Sequence, residues 1–175
     1  LQLDNKEWDW YHLTYKIIEF DRYDIIENYP DRDWNWFVLS NAKDLDFSIV
    51  EKLHYKNWDW GKLSSHRNIK MSFVRKFPDK NWDWYYSISK RKLLSMKLIE
   101  ENPNKPWDWA YLSKRKNLDF RLVRLFPDKN WDWSKFGLSS NTKLDFTLVR
   151  LFPDKNWSWS EGGLSSNKNL DITLV

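Results

Sequence analysis

Two short runs of basic residues are the strongest candidates for binding chemistry in this sequence. They are Lys90-Arg91-Lys92 and Lys114-Arg115-Lys116, they begin 24 residues apart, and neither contains an acidic residue. Arg67 holds a matching position nearer the N-terminus. Clustered cations of this kind bind phosphate groups without sequence selectivity, and their affinity falls steeply as salt rises. A solvated surface explains such runs equally well, and no motif for reading bases accompanies them.

Tryptophan is the second candidate, because an exposed indole ring can stack on a nucleic-acid base or on a sugar ring. The chain has fourteen tryptophans, and they form seven Trp-x-Trp triplets: Trp8 and Trp10, Trp34 and Trp36, Trp58 and Trp60, Trp82 and Trp84, Trp107 and Trp109, Trp131 and Trp133, Trp157 and Trp159. Indole rings that lie between packed helices would instead build the core. We interpret them as structural core residues, since each triplet also fits the start of a helix.

Residues for catalysis or metal binding are scarce. The sequence has no cysteine, four glycines and three histidines, and the histidines fall at unrelated places in the repeat. Without cysteine there is no thiolate nucleophile, no zinc-thiolate site and no disulfide framework. We therefore predict that the protein is not an enzyme and that it binds no metal, no cofactor and no small-molecule substrate.

The tryptophan triplets recur at a nearly fixed interval. Their first tryptophans follow one another after 26, 24, 24, 25, 24 and 26 residues. Self-similarity with a period of this length indicates an array of stacked supersecondary units. The clearest copy runs from Leu118 to Ser139, and the next copy begins at Leu144. We predict an all-α fold, an α-solenoid in which residues 1–175 form a single array of seven two-helix repeats.

The first helix of each repeat precedes the triplet. In the clearest copy Asp119 fits an N-cap, and Pro127 ends the helix. Phe120, Val123 and Phe126 share one face of this helix, which is typical of an apolar face packed on a core. Other repeats have Asp46, Ser95, Asp145 or Asp171 at the N-cap position, and one repeat has Lys70, which cannot cap.

The second helix follows the triplet, and we place its N-cap at the middle residue of the triplet. These middle residues are Asp9, Asn35, Asp59, Asp83, Asp108, Asp132 and Ser158, whose side chains all accept hydrogen bonds from free helical N–H groups. The preceding tryptophan then has the position of a hydrophobic staple, so we expect Trp107 to pack on Leu112. Trp8 should pack on Leu13 in the same way.

The repeats differ in length mainly within the second helix. In the third repeat the interval from the second tryptophan to the residue that closes the helix is Trp60 to Leu63. The corresponding interval Trp84 to Ile88 is one residue longer, and Trp133 to Leu138 is two residues longer. The stretch from Trp133 to Asn141 also matches a leucine-rich repeat, in which a strand from each repeat lines a horseshoe. The other repeats have the wrong internal spacing for that fold, so we favour helices.

The sequence Pro-Asp-Lys-Asn-Trp-Asp-Trp followed by Leu-Ser-x-Asn resembles the tryptophan-rich tandem repeats in proteins of giant DNA viruses of amoebae. The residues that match position by position are Pro127 to Trp133 with Leu138 to Asn141, and Pro153 to Trp157 with Leu164 to Asn167. The likeness covers the whole chain, with departures at His54, Tyr55, Pro106 and Ser158. The resemblance implies a viral origin and a repeat fold, and it brings no activity or functional residues with it.

Charge is distributed unevenly along the chain, although the net charge is +4. Residues 1–60 carry 7 basic and 13 acidic side chains, whereas residues 61–175 carry 22 basic and 12 acidic ones. A basic residue stands two positions before the first tryptophan of every triplet: Lys6, Arg32, Lys56, Lys80, Lys105, Lys129 and Lys155. Because aspartates flank this row, we predict that it forms ion pairs between repeats or cation–π contacts with tryptophan, and not a polyanion track.

These features predict a structural or protein-binding module inside a larger assembly such as a viral particle. The alternative is nonspecific binding of nucleic acid through Arg67 and the two basic runs. Leu1 is not a methionine and Val175 stops within a first helix, so we expect a fragment of a longer array whose end meets further repeats or a protein partner. No apolar stretch approaches the ~20 residues of a membrane helix and no signal peptide is visible, which favours an intracellular or virion location without membrane contact.

Overall fold

The computed structural model describes residues 7–170 and Thr173, and every regular element within them is helical. These residues contain ten α-helices, three short 3-10 helices and no β-strand. The all-α prediction is therefore confirmed, and a leucine-rich horseshoe, which needs a strand in each repeat, is excluded for this part of the chain. The sequence also carried predictions on Leu1, Lys6, Asp171 and Val175, and these lie outside the described residues.

The helices divide between two compact units, Leu1–Asp83 and Trp84–Val175. The N-terminal unit contains α1 (Trp10–Glu19), α2 (Tyr23–Asn28), α3 (Trp36–Ser40), α4 (Phe47–Lys52), α5 (Trp60–Ser65) and α6 (Met71–Lys76). The C-terminal unit contains the 3-10 helix η1 (Ile88–Lys90), α7 (Met96–Glu101), α8 (Trp109–Ser113), α9 (Arg121–Leu125), the 3-10 helix η2 (Leu138–Ser140), α10 (Thr147–Leu151) and the 3-10 helix η3 (Leu164–Ser166). The boundary between the units falls inside the fourth triplet.

The first helices of the repeats are α2, α4, α6, α7, α9 and α10. In α9, Leu122 and Val123 are almost fully buried, and Phe120 just before the helix is buried as well, as the apolar pattern predicted. The helix ends at Leu125, because the residue before Pro127 is sterically disfavoured in the helical conformation. Helices this short are unstable in isolation. Packing of their apolar faces must therefore stabilise them.

The predicted N-caps of the first helices are partly correct. Asp46 accepts a backbone N–H of α4 at 2.8 Å, as expected. Asp119 and Asp145 also accept backbone N–H groups, each at 3.0 Å, but α9 and α10 begin one residue later than predicted, so a phenylalanine occupies each N-cap. Ser95 holds the N-cap position of α7, as predicted, but its side chain makes no capping bond, and Lys70 makes none either, as expected.

The second helices are of two kinds. In four repeats an α-helix begins at the second tryptophan and is capped as predicted: Asp9, Asn35, Asp59 and Asp108 accept N–H groups from the third residue after them at 2.9 to 3.0 Å. In the fourth, sixth and seventh repeats a turn follows the triplet and leads into η1, η2 or η3. The prediction that Asp83, Asp132 and Ser158 cap an α-helix is therefore wrong.

Extra residues in these three repeats explain the change. The apolar residue that closes the second element is fully buried in every repeat from the second onward, at Leu39, Leu63, Ile88, Leu112, Leu138 and Leu164. An inserted residue would rotate this side chain by about 100° if it were added to an α-helix, so the surplus forms a turn instead. In the sixth repeat the turn closes when Leu138 donates its N–H to the carbonyl of Asp132 at 2.7 Å.

Candidate functional site

Pairs of tryptophans join consecutive repeats within each compact unit. The second tryptophan of one triplet packs edge to face on the first tryptophan of the next, with ring centroids 4.9 to 5.1 Å apart and interplanar angles of 67° to 81°. The pairs are Trp10–Trp34, Trp36–Trp58 and Trp60–Trp82 in the N-terminal unit and Trp84–Trp107, Trp109–Trp131 and Trp133–Trp157 in the C-terminal unit. This edge-to-face geometry is the preferred one for aromatic pairs.

Burial and hydrogen bonding hold these rings in place. From Trp34 to Trp157 the first tryptophan of each triplet is buried, and its indole N–H donates to the backbone carbonyl five residues earlier at 2.8 to 2.9 Å. The prediction that tryptophans form the core between repeats is confirmed for these residues. Trp10 and Trp36 are half-buried, whereas Trp8 and Trp159 are exposed, with 38% and 48% of their surface accessible. The expected packing of Trp107 on Leu112 and of Trp8 on Leu13 stays a prediction.

From the second triplet onward, the basic residue before each triplet has the structural role that the sequence predicted. Its cation lies over the second tryptophan of the preceding repeat, 5.0 to 5.9 Å from the ring centroid, for Arg32 on Trp10, Lys80 on Trp60, Lys105 on Trp84, Lys129 on Trp109 and Lys155 on Trp133. Lys56 pairs with Asp31 of the preceding repeat at 2.5 Å instead. A cation over an indole face is an attractive contact. This row therefore serves the repeat interface.

A buried hydroxyl group forms a second link between repeats, and the sequence analysis missed it. The residue after the leucine or isoleucine that closes each second element donates its hydroxyl hydrogen to the carbonyl of the second tryptophan. Its oxygen accepts the N–H of the middle residue of the next triplet. The hydroxyls belong to Thr14, Ser40 and Ser64 in the N-terminal unit and to Ser89, Ser113 and Ser139 in the C-terminal unit. All six are fully buried. We call this contact the serine bridge.

Replacing Ser64 with alanine should lower the free energy of unfolding by about 2 kcal/mol, since it leaves a buried polar group without its partner. The group is the backbone N–H of Asp83, which the Ser64 hydroxyl accepts at 2.8 Å. Urea denaturation followed by far-UV circular dichroism measures the change. Ser65 is the matched control, because it is exposed and bonds the Lys62 carbonyl at 2.9 Å within its own helix. Ser65→Ala should change stability by less than about 0.5 kcal/mol, and equal losses in both variants would contradict the bridge.

A third link comes from the residue three positions after the buried leucine or isoleucine. His66 contacts the carbonyl of Ala42 through Nε2 at 2.8 Å, and Asn141 donates to the carbonyls of Ser113 and Arg115 at 3.2 and 3.1 Å. Each donor thus binds backbone of the preceding repeat. Aligning the repeats would have revealed this position, because it holds histidine, arginine or asparagine from the third repeat onward, and all three carry N–H donors.

The first basic run begins at Lys90, the last residue of η1, and the second begins at Lys114, directly after α8, in the C-terminal unit. Arg115 joins them, since its guanidinium donates to the carbonyl of Lys92 at 3.0 Å and to that of Ser89 at 3.3 Å. Arg91 and Arg115 are half-buried, and burial lowers the pKa of both guanidinium groups from the ordinary value. Arg115 of the candidate polyanion site therefore fixes the loop of the preceding repeat, and Arg91 is only partly accessible to a ligand.

The lysines of the basic runs are the exposed part of the candidate site. Lys90, Lys92, Lys114 and Lys116 are all exposed. Lys114 lies 4.0 Å from the carboxylate of Asp132, whereas Lys90 lies between two tyrosine rings, 5.4 Å from Tyr86 and 5.9 Å from Tyr111. Arg67 belongs to the N-terminal unit and forms an ion pair there with Asp44. The structure thus brings six of the seven predicted residues into one compact unit.

The aspartate and histidine side chains that could serve catalysis form hydrogen bonds and ring contacts within the fold. Asp9 accepts both the backbone N–H and the ring of His12, and these bonds lower the pKa of the Asp9 carboxyl. The ring of His54 stacks on Phe77 with centroids 5.1 Å apart. No cluster of three or more histidine, aspartate or glutamate side chains suited to a metal ion occurs among the described residues.

The described helices are all too short or too polar to cross a membrane. Comparison with protein-family models, with curated proteins and with solved structures gave no match. The resemblance to viral tandem repeats therefore stays a prediction from the motif residues.

Proposed function

We propose that this protein is a non-catalytic α-solenoid that acts as a structural or protein-binding module in a larger assembly. The observation that carries the proposal is the regularity of the repeat interface. The same tryptophan pair and the same serine bridge link consecutive repeats within each compact unit. Interfaces that repeat in this way are the basis of nearest-neighbour stability in repeat arrays.

The use of the polar side chains supports a non-catalytic role. Aspartates that could act as acids or bases cap helices, as Asp59 and Asp108 do. Basic residues that could bind anions lie over indole rings, as Lys80 and Lys129 do. Residues committed to packing in this way leave recognition to the outer surface, which is how repeat proteins commonly bind their partners.

Exposed leucines at one helix position support a protein partner. Leu125 and Leu151 occupy the same place at the ends of α9 and α10, and each is about half exposed. In the N-terminal unit that place is held by Lys52 and Lys76, whose ammonium groups pair with glutamates of the preceding repeat. Exchange of an ion-paired lysine for an exposed leucine favours contact with another apolar surface.

The resemblance to repeats of giant DNA viruses supports a virion, or the interior of an infected cell, as the setting of this assembly. The test begins with cross-linking of the full-length chain in extracts of infected amoebae and continues with a purified candidate partner. We expect that partner to bind the isolated chain. A chain that remains a monomer, with no partner recovered, would contradict the proposal.

Matched variants show whether the folded array is recognised. The double variant Ser64→Ala with Ser139→Ala removes one serine bridge from each compact unit, and Ser65→Ala with Ser140→Ala changes the exposed serines next to them. We expect the first double variant to weaken partner binding at temperatures where the lost bridges allow the repeats to unfold locally. The second double variant should leave partner binding unchanged. Equal binding by both would mean that a linear segment is recognised instead of an array.

A further inference from the structure

Two exposed tyrosines and two lysines share one surface of the C-terminal unit. Tyr86 lies in the turn before η1 and is 71% exposed, and Tyr111 lies on α8 and is 38% exposed. Lys90 stands between them, 5.4 Å from one ring centroid and 5.9 Å from the other. Lys114 follows Tyr111 by three residues and holds the same place in its repeat as Lys90. We call these four residues the tyrosine–lysine surface.

We propose that the tyrosine–lysine surface binds single-stranded nucleic acid, with bases stacked on Tyr86 and Tyr111 and phosphates held by Lys90 and Lys114. This combination of aromatic platforms and cations is the one by which proteins bind single strands without reading sequence. A double helix keeps its bases stacked inside and offers these rings nothing to contact. The inference does not depend on the scaffold function proposed above.

The local structure explains why tyrosines are presented here. The fourth repeat has one residue more than the third between its second tryptophan and its buried isoleucine, and the resulting turn carries Tyr85 and Tyr86 outward. Their rings pack against each other with centroids 4.8 Å apart, which limits the motion of both. An aromatic ring that is ordered but exposed loses little conformational entropy when a base stacks on it.

The charges around the surface favour a polyanion. Lys92 and Lys116, in the loops just beyond, are exposed and form no ion pair within the described residues. Two carboxylates of this unit already have partners: Asp108 is buried as the cap of α8, and Asp132 accepts the hydroxyl of Ser134 at 2.6 Å while lying 4.0 Å from Lys114. The half-buried Arg115 fixes the loop of Lys92 through its carbonyl. The backbone of the Lys92 loop is therefore fixed before a ligand arrives.

Fluorescence anisotropy with a labelled oligothymidylate of about 16 nucleotides tests the inference, since this covers the site size of a single binding module. We expect salt-sensitive binding by the full chain and weaker binding to a duplex of equal length. Tyr86→Ala and Tyr111→Ala should each weaken binding about 5- to 100-fold. Tyr86→Phe and Tyr111→Phe should restore it, because phenylalanine keeps the ring. The pair Lys90→Ala with Lys114→Ala should reduce the slope of log affinity against log salt by about 1.4.

The matched control is an exposed aromatic–lysine pair in the N-terminal unit. Phe37 is exposed and Lys62 lies 5.6 Å from its ring, so Phe37→Ala with Lys62→Ala should leave oligonucleotide binding unchanged. Circular dichroism melting curves confirm that each variant folds. Absence of oligonucleotide binding at low salt would overturn the inference, as would equal affinity for the single strand and the duplex. Wild-type affinity in both Tyr86→Ala and Tyr111→Ala would overturn it as well. Capture of a protein on the same tyrosines, with no oligonucleotide binding, would overturn it too.

Discussion

Replacing Trp131 with alanine should lower the free energy of unfolding by about 3 to 5 kcal/mol, the usual cost of truncating a large buried aromatic residue. Trp131 is 5% exposed, and its ring packs on Trp109 with centroids 4.9 Å apart. The substitution also removes the indole N–H that donates to the Phe126 carbonyl at 2.9 Å. Urea denaturation followed by far-UV circular dichroism measures the loss independently of tryptophan emission.

Trp159→Ala is the control, because Trp159 is a triplet tryptophan of the same compact unit but is 48% exposed. We expect this variant to lose less than about 1 kcal/mol, since truncating a half-exposed side chain leaves no closed cavity. Hydrogen exchange adds a second readout. In Trp131→Ala, protection should fall in the fifth and sixth repeats, which share the lost ring contact, more than elsewhere in the C-terminal unit. Equal losses in the two variants would contradict the role of buried rings between repeats.

Replacing Gly137 with alanine should destabilise the protein by about 3 kcal/mol, at the upper end of the cost of overpacking. A Cβ atom at this position would lie 2.0 Å from the carbonyl oxygen of Asp132, far inside van der Waals contact. That oxygen accepts the N–H of Leu138 at 2.7 Å, so relief of the overlap would break the bond that closes the turn. The expected result is a lower denaturation midpoint with loss of protection around η2.

Gly61→Ala is the control for this substitution. Gly61 lies within α5, and a Cβ atom there would meet only the carboxylate oxygen of Asp59, at 3.2 Å. Alanine is favoured over glycine in a helix by about 1 kcal/mol, which offsets a small shift of that flexible side chain. We expect Gly61→Ala to stay within about 1 kcal/mol of the wild type. If Gly137→Ala had the same denaturation midpoint as the wild type, the turn could open without loss of stability, which would contradict the prediction.

The sequence predicted contacts that depend on position within a repeat. The spacing of the tryptophans indicated stacked repeats, and Trp109 and Trp131 do meet between consecutive repeats. The recurrent basic residue two places before each triplet was expected to form ion pairs between repeats or to lie over tryptophan, and Lys129 lies over Trp109. Caps at Asp59 and Asp108 followed from local backbone chemistry. These features share one cause, since a side chain repeated at one position meets the same neighbour each time.

The serine bridge and the tyrosine–lysine surface escaped prediction. Ser113 was visible as part of a Leu-Ser pair, but its hydroxyl acts on Asp132, nineteen residues away, and that neighbour is known only once the repeats are packed. Lys90 and Arg115 looked equivalent as members of basic runs. The fold separates them, because Arg115 turns inward to backbone carbonyls while Lys90 remains exposed between Tyr86 and Tyr111.

By itself the sequence determined the helical class, the period and the residues that build each repeat, because capping, apolar spacing and proline act over a few residues. The tertiary structure decided which second elements remain α-helical. The leucine or isoleucine that closes the second element is fully buried in every repeat from the second onward. In the fourth, sixth and seventh repeats this burial overrides local helix preference, and the extra residues form turns. It also decided which cations remain exposed, since that depends on which backbone carbonyls come within reach after packing.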